Sequence, residues 1–165
     1  MYAKMLIRRD GFDKMSEFIF LNTEDLSDGE IYLHLRAHLP NDEEKDYVPT
    51  YIFAITKADT NEAVGELALR IGYSRELYYA GHIGYHVDMP YRGHNYAEKA
   101  CRIAFHQAKK HNMEELAITC NPDNIPSRRT CEKLGGYLKE IVDVPTDTEL
   151  YQMGDRQKCI FLYEL

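Results

Sequence analysis

Residues 88–97, Asp-Met-Pro-Tyr-Arg-Gly-His-Asn-Tyr-Ala, combine the groups that bind an anion through backbone. An apolar alternation runs into this stretch and a helical apolar stripe runs out of it, so it spans the passage from a strand to a helix. The first N–H groups of a helix have no intrahelical partner and lie at the positive end of its dipole. With Arg92 and Gly93 just ahead of them, they form a site for a phosphate-like group. The other groups with chemical potential are scattered. Cys101, Cys120, Cys131 and Cys159 contain no C-x-x-C pair, which argues against a zinc site, a thioredoxin-type motif and a disulfide framework. They read as small buried hydrophobes of a reducing compartment.

Several elements must position that turn. Ile31, Leu33, Leu35, Ala37 and Leu39 alternate with polar residues, which predicts a strand over 30–37. Residues 51–56 and 63–71 read as two more strands around the turn Asp59-Thr-Asn61. On the second of these, Leu67, Leu69 and Ile71 share one face and Glu66 and Arg70 the other. Residues 72–81 form a tyrosine-bearing connection, and 82–88 the strand entering the turn, with His82, His86 and Asp88 opposite Ile83, Tyr85 and Val87. Beyond the turn, Ala97, Cys101, Ala104, Phe105 and Ala108 recur at helical spacing, with Asn112 as the stop. A strand over 116–120, a helix ended by Gly135 and Gly136, and strands over 137–144 and 158–164 complete the chain. The last two are joined by a polar loop holding Asp143, Asp147 and Glu149. Residues 1–28 are the least readable part. Strands dominate the first half and strand–helix pairs the second, which predicts an α/β chain of the α+β type. Its architecture is a single mixed, mostly antiparallel sheet flanked by helices.

A chain of 165 residues is about one domain, and residues 1–165 leave no room for a second. Its 27 acidic and 20 basic residues give a net charge of −7, which disfavours nucleic acid and favours cationic ligands. No apolar run approaches the roughly 18 residues of a membrane span. Lys4, Arg8, Arg9 and Asp10 interrupt any signal-peptide core. The expectation is a cytoplasmic protein with neither a membrane nor a nucleic-acid partner.

Residues 92–97 resemble the acetyl-CoA-binding turn of the GNAT superfamily, the coenzyme A-dependent N-acetyltransferases. The family's turn runs Gln/Arg-x-x-Gly-x-Gly/Ala, and Arg92 and Ala97 match its ends, while Asn95 stands where glycine is usual. Asn is the residue after glycine that best tolerates positive φ, so the backbone course is expected to survive. Asn124-Ile-Pro-Ser127 and Glu132-Lys-Leu-Gly135 are similar to the elements of the family's next helix. Within the superfamily the closest likeness is to the branch of ribosomal-protein N-terminal and small-molecule acetyltransferases. The resemblance implies the acyl-CoA N-acyltransferase fold, with the strands ending at Asp88 and Cys120 splayed apart. The pantothenate arm would bond to backbone near Val87, and the pyrophosphate would rest on Arg92, Gly93, His94, Asn95, Tyr96 and Ala97. Asn124 and Ser127 would hold the pantetheine chain. Acetyl-CoA and an amine acceptor are then the implied partners, and no metal is required.

Amide formation from a thioester needs a neutral amine, an oxyanion donor and a proton for the thiolate. His82 resembles the position where relatives often carry a glutamate, which makes it the first candidate base, with Glu66 on the adjacent strand as the alternative. His86 and His94 read as structural or solvent-exposed. The family often has a tyrosine acid just before the Glu-Lys pair, where this chain has Cys131. Cys131, Ser127 or solvent is left to protonate the thiolate. Family members usually place helices between the first two strands, but 13 residues with two prolines separate them here, counting 38–50. The acceptor wall is therefore expected from residues 1–28, the tyrosines of 72–81, the loop of Asp143 to Glu149, or a second subunit, since an exposed final strand could pair across a homodimer. The alternative reading is a non-catalytic acyl-CoA-binding or sensor module.

Overall fold

The alternation that begins at Ile31 builds the first strand of a seven-stranded sheet in the computed structural model, which describes residues 17–165. In chain order the elements are β1 (Ile31–Leu39), β2 (Thr50–Lys57), β3 (Ala63–Arg70), α1 (Arg75–Ala80), β4 (Ile83–Val87) and α2 (Tyr96–Lys110). They continue with β5 (Glu115–Cys120), α3 (Ile125–Lys133), β6 (Tyr137–Asp143), α4 (Glu149–Gln152) and β7 (Gln157–Glu164). The strand order is β1-β2-β3-β4-β5-β7-β6, antiparallel throughout except for β4 beside β5. Leu67, Leu69, Ile83 and Ile118 turn one face of the sheet into the main core, which α2 covers through Ala100, Cys101, Ile103, Ala104 and Ala108. Each large aliphatic residue buried there contributes about 1.5–3 kcal/mol. The opposite face holds a smaller cluster of Ala117, Ile160 and Leu162 under Tyr78 of α1.

The helix after the turn stops where its sequence predicts, with Asn112 at φ 58. Gly135, at φ 87, likewise ends α3. Between β1 and β2 stands only a single 3-10 turn, Glu43–Lys45. Residues 1–16 of the least readable segment lie outside the described residues. From residue 17 the chain is irregular, tied down by Leu26 in the core and by the Leu21 N–H on the Tyr51 hydroxyl at 2.7 Å.

Two expectations are corrected. Residues 72–81 are not merely a connection: Ser74 accepts from the Leu77 N–H and starts α1. The final strand is not an exposed edge, because β7 lies between β5 and β6 and has six consecutive buried residues. The chain crosses over after β5, so the edge at that end is β6.

Candidate active site

Asn95 has the backbone that its position demands, φ 60 and ψ 22, and Gly93 before it has φ 87. A β-carbon on Gly93 would meet nothing within 4 Å, so the space in front of this turn is open. The first intrahelical bond runs from the Lys99 N–H to the Asn95 carbonyl, and the N–H groups of Gly93 to Glu98 have no acceptor among the described residues. These donors cluster at a helix N-terminus, the arrangement that binds an anion. Arg92 anchors the turn through its Nε on the Val87 carbonyl at 2.8 Å, and Asn95 Oδ1 accepts from Lys133 Nζ at 3.0 Å. The turn therefore has two cations at its rim.

Behind it β4 and β5 separate. Their parallel ladder has one register pair, Ile83 with Ile118, joined by the His82 N–H on the Ala117 carbonyl at 2.7 Å. The bonds Arg70 N–H to His82 O and Asp88 N–H to Val64 O direct the even-numbered residues of β4 toward β3. By alternation the N–H and C=O of Tyr85 and the N–H of Val87 face the gap. Such a free sheet edge accepts an extended chain as an added strand.

The gap contains a cavity of about 240 Å3 whose lining includes Arg70, Gly84, Tyr85, Cys120, Asn121, Asn124, Ser127 and Lys158. Tyr85 and Cys120 belong to the core face under α2, whereas Lys158 alternates with Ile160 and Leu162 on the α1 face. Ala80 of α1 and Leu150 of α4 complete the lining. The opening thus passes through the sheet, with an α1–α4 wall on the side away from α2. Of the four sources expected for an acceptor wall, the tyrosines of 72–81 and the loop of Asp143 to Glu149 contribute no residue to this lining.

Ser127 and Asn124 are the sequence-predicted residues that the cavity brings together. Asn124 caps α3, its Oδ1 accepting the Ser127 N–H at 3.3 Å, and the Ser127 hydroxyl bonds the Tyr85 phenol at 3.1 Å. Burial pushes the Tyr85 pKa well above its usual range, so the phenol keeps its proton at neutral pH. His82, Glu66 and Cys131 are not in that lining. His82 is buried: its Nδ1 accepts the Ala117 N–H at 2.8 Å, which leaves Nε2–H to donate to the Gly72 carbonyl at 3.0 Å. Burial lowers its pKa to about 4. Glu66 is exposed, in register with His86, which lies 3.6 Å from Asp88. His94 is exposed and bonds the Tyr91 carbonyl through Nδ1 at 3.0 Å. Cys131 is buried beneath Tyr163, whose hydroxyl donates to its carbonyl at 2.9 Å. Its bond with Cys120 holds the Cys131 pKa up and draws the Cys120 pKa down.

Tyr85, Cys120, Asn121 and Arg70 were absent from the sequence candidates. A signal existed for the first two, because both sit on the strands expected to splay. Asn121 Nδ2 donates to Asp155 at 2.9 Å, leaving its buried Oδ1 with no partner among the described residues. An unmatched buried acceptor costs about 1–3 kcal/mol, which an N–H donor entering the cavity would recover. No described group of three or more His, Cys, Asp or Glu side chains converges to hold a metal.

No curated protein matches the sequence. The chain is similar to a GNAT-family acetyltransferase structure from Bacillus anthracis, with 21% identity, TM-score 0.55 and coverage of 68% of this chain and 65% of that one. A ribosomal-protein-S5-alanine acetyltransferase from Vibrio fischeri is 19% identical, with TM-score 0.55 over 70% of this chain and 61% of its own. The microcin C7 self-immunity acetyltransferase MccE, in complex with acetyl-CoA and AMP, is 18% identical, with TM-score 0.55 over 74% and 63%. The chain therefore spans slightly less than two thirds of each of these proteins, and the likenesses speak to the fold. The acetyltransferase (GNAT) domain model matches residues 10–136, more than half of the chain, and the chain belongs to that family.

Proposed function

We propose that the protein transfers an acetyl group from acetyl-CoA to a primary amine inside the gap between β4 and β5, by direct attack in a ternary complex. The observation that carries this reading is the continuity of two features: the N–H groups from Gly93 to Glu98, which have no acceptor among the described residues, and the backbone edge of Tyr85 and Val87 beside them. The pyrophosphate of coenzyme A takes the N–H row, with Arg92 and Lys133 at its flanks. The pantetheine arm pairs with the β4 edge and reaches past Asn124 and Ser127. Cofactor recognition through Val87 uses its N–H, since Arg92 holds its carbonyl.

In the reaction the amine nitrogen bonds to the thioester carbon, the oxyanion draws on a β4 N–H, and the C–S bond breaks as the thiolate takes a proton. Tyr85, whose phenol lines the cavity and bonds the Ser127 hydroxyl, supplies that proton, and Ser127 relays or replaces it. His82 acts as a positioning residue, since both ring nitrogens are engaged at the closed end of the gap. Glu66, on the sheet face that Arg70 shares, takes the amine proton through water.

Mixing the protein with acetyl-CoA and a panel of amines, and following free thiol, tests the reading. The expected result is acceptor-dependent thiol release, and its absence with every amine counts against transfer. The cavity lining holds no carboxylate or histidine, which favours a second reading, a non-catalytic acyl-CoA-binding module. Tight acetyl-CoA binding with no turnover would select it.

A further inference from the structure

The cavity between β4 and β5 contains two cations in different states. Lys158 is paired with Asp155 at 2.8 Å. Among the described residues the Arg70 side chain donates only through Nη1, to the Gly81 carbonyl at 3.0 Å, and no carboxylate forms an ion pair with it. Burial lowers its pKa, and no charged neighbour offsets that burial. A β-carbon on Gly84 would stand 3.4 and 3.5 Å from Nη1 and Nη2, so the guanidinium lies across the β4 backbone, one residue from the Ile83–Ile118 pair where the gap closes. Half-buried, with Nε and Nη2 unbonded among the described residues, it lines a cavity whose described lining holds no carboxylate.

The acids that favour a cationic ligand in the sequence are engaged elsewhere. Asp147 receives both arms of Arg75 at 2.9 Å, Glu149 accepts the Tyr47 hydroxyl at 2.7 Å, and Asp143 accepts the Gln157 amide at 3.0 Å. None of the three lines the cavity. A polyamine would bring a second positive charge toward a partly desolvated guanidinium, which is repulsive at short range.

We propose that Arg70 is the specificity determinant for the acceptor, and that the acceptor is a small amine bearing a carboxylate, of amino-acid size. This rests on the acetyl-transfer reading of the same site. A guanidinium fork matches a carboxylate in two parallel bonds, and its weak hydration suits it to a partly dry site. The unmatched Oδ1 of Asn121 complements the amine end of the same molecule. A cavity of about 240 Å3, shared with the end of the cofactor arm, has room for an acceptor of amino-acid size.

The test compares matched triplets, each an amino acid, its carboxamide and its decarboxylated amine, by thiol release with the wild-type protein, Arg70→Lys and Arg70→Met. The wild type should prefer the carboxylated member by about 30-fold in kcat/KM, mostly through KM, as expected for a charge-assisted pair. Arg70→Met should reduce that preference to about threefold or less, and Arg70→Lys should restore part of it. An acetyl-CoA-induced rise in melting temperature in both variants shows that they fold and keep the cofactor site. If a variant fails to fold, inhibition of the wild type by an N-acetylated amino acid but not by its carboxamide gives the same answer. Turnover without a carboxylate preference, or a preference that survives Arg70→Met, overturns the assignment while acetyl transfer stands. If the wild type neither binds acetyl-CoA nor releases thiol with any amine, acetyl transfer itself fails and this assignment falls with it.

Discussion

Lowering the pH from about 7.5 to about 5 should remove about 2 kcal/mol of the stability that His82 contributes. The ring is 2% exposed, and burial, the largest influence, takes its pKa from 6.5 to about 4. The Nε2–H bond to the Gly72 carbonyl resists that shift, while the Ala117 N–H on Nδ1, which a protonated ring could not accept, and the nearby charge of Arg70 favour the neutral form. Because the folded pKa is the lower one, the unfolded chain binds more protons between these two values, so stability rises with pH across that window. The contribution is complete above the unfolded pKa and is lost as the pH falls toward the folded one. The full shift corresponds to roughly 3 kcal/mol, of which about 2 is gone by about pH 5. His111, also depressed by burial, acts in the same direction, and Glu76, raised by burial, acts against it. The comparison must therefore be with His82→Asn, in which every other group is unchanged. Urea unfolding followed by circular dichroism at about pH 7.5, 6 and 5 should show the gap between wild type and variant narrowing by about 2 kcal/mol. A gap that stays constant or widens toward low pH would refute a neutral, doubly bonded ring.

Other consequences concern the site. Arg92→Ala should weaken acetyl-CoA binding about tenfold and flatten its salt dependence, measured by calorimetry at two ionic strengths. Tyr85→Phe should lower kcat by about 10- to 100-fold with acetyl-CoA affinity unchanged, and an unchanged kcat would remove Tyr85 from proton delivery. Asn95→Gly preserves the left-handed backbone and releases Lys133, so acetyl-CoA affinity should change by about threefold or less. A loss above about tenfold would mean that the Asn95 amide itself contacts the cofactor.

The strands and the turn were legible because each is specified locally. The alternation at Ile31 to Leu39, the spacing of Cys101, Ala104 and Ala108, and an Asn at the position that needs positive φ are properties of neighbouring residues. Two short helices were not: α1 has six residues and α4 four, too few for an apolar period to emerge, and each begins from a capping hydroxyl, Ser74 or Thr148. The role of His82 depends on the Gly72 carbonyl and on Ala117 across the sheet, 35 residues away, which no local pattern encodes. Arg70 reads in sequence as an ordinary polar-face residue. Only the separation of β4 from β5 beside it leaves its guanidinium facing a cavity. The place of β7 inside the sheet is a matter of crossover, decided by how the whole chain packs.

Amide hydrogen exchange of the protein with and without acetyl-CoA tests the central claim most directly, because it reports on the backbone proposed to bind the cofactor. Saturating acetyl-CoA should slow exchange of the Tyr85 and Val87 amides and of those from Gly93 to Glu98, while amides of β1 and β2 keep their rates. No protection at these positions, or protection confined to another part of the sheet, would contradict the account.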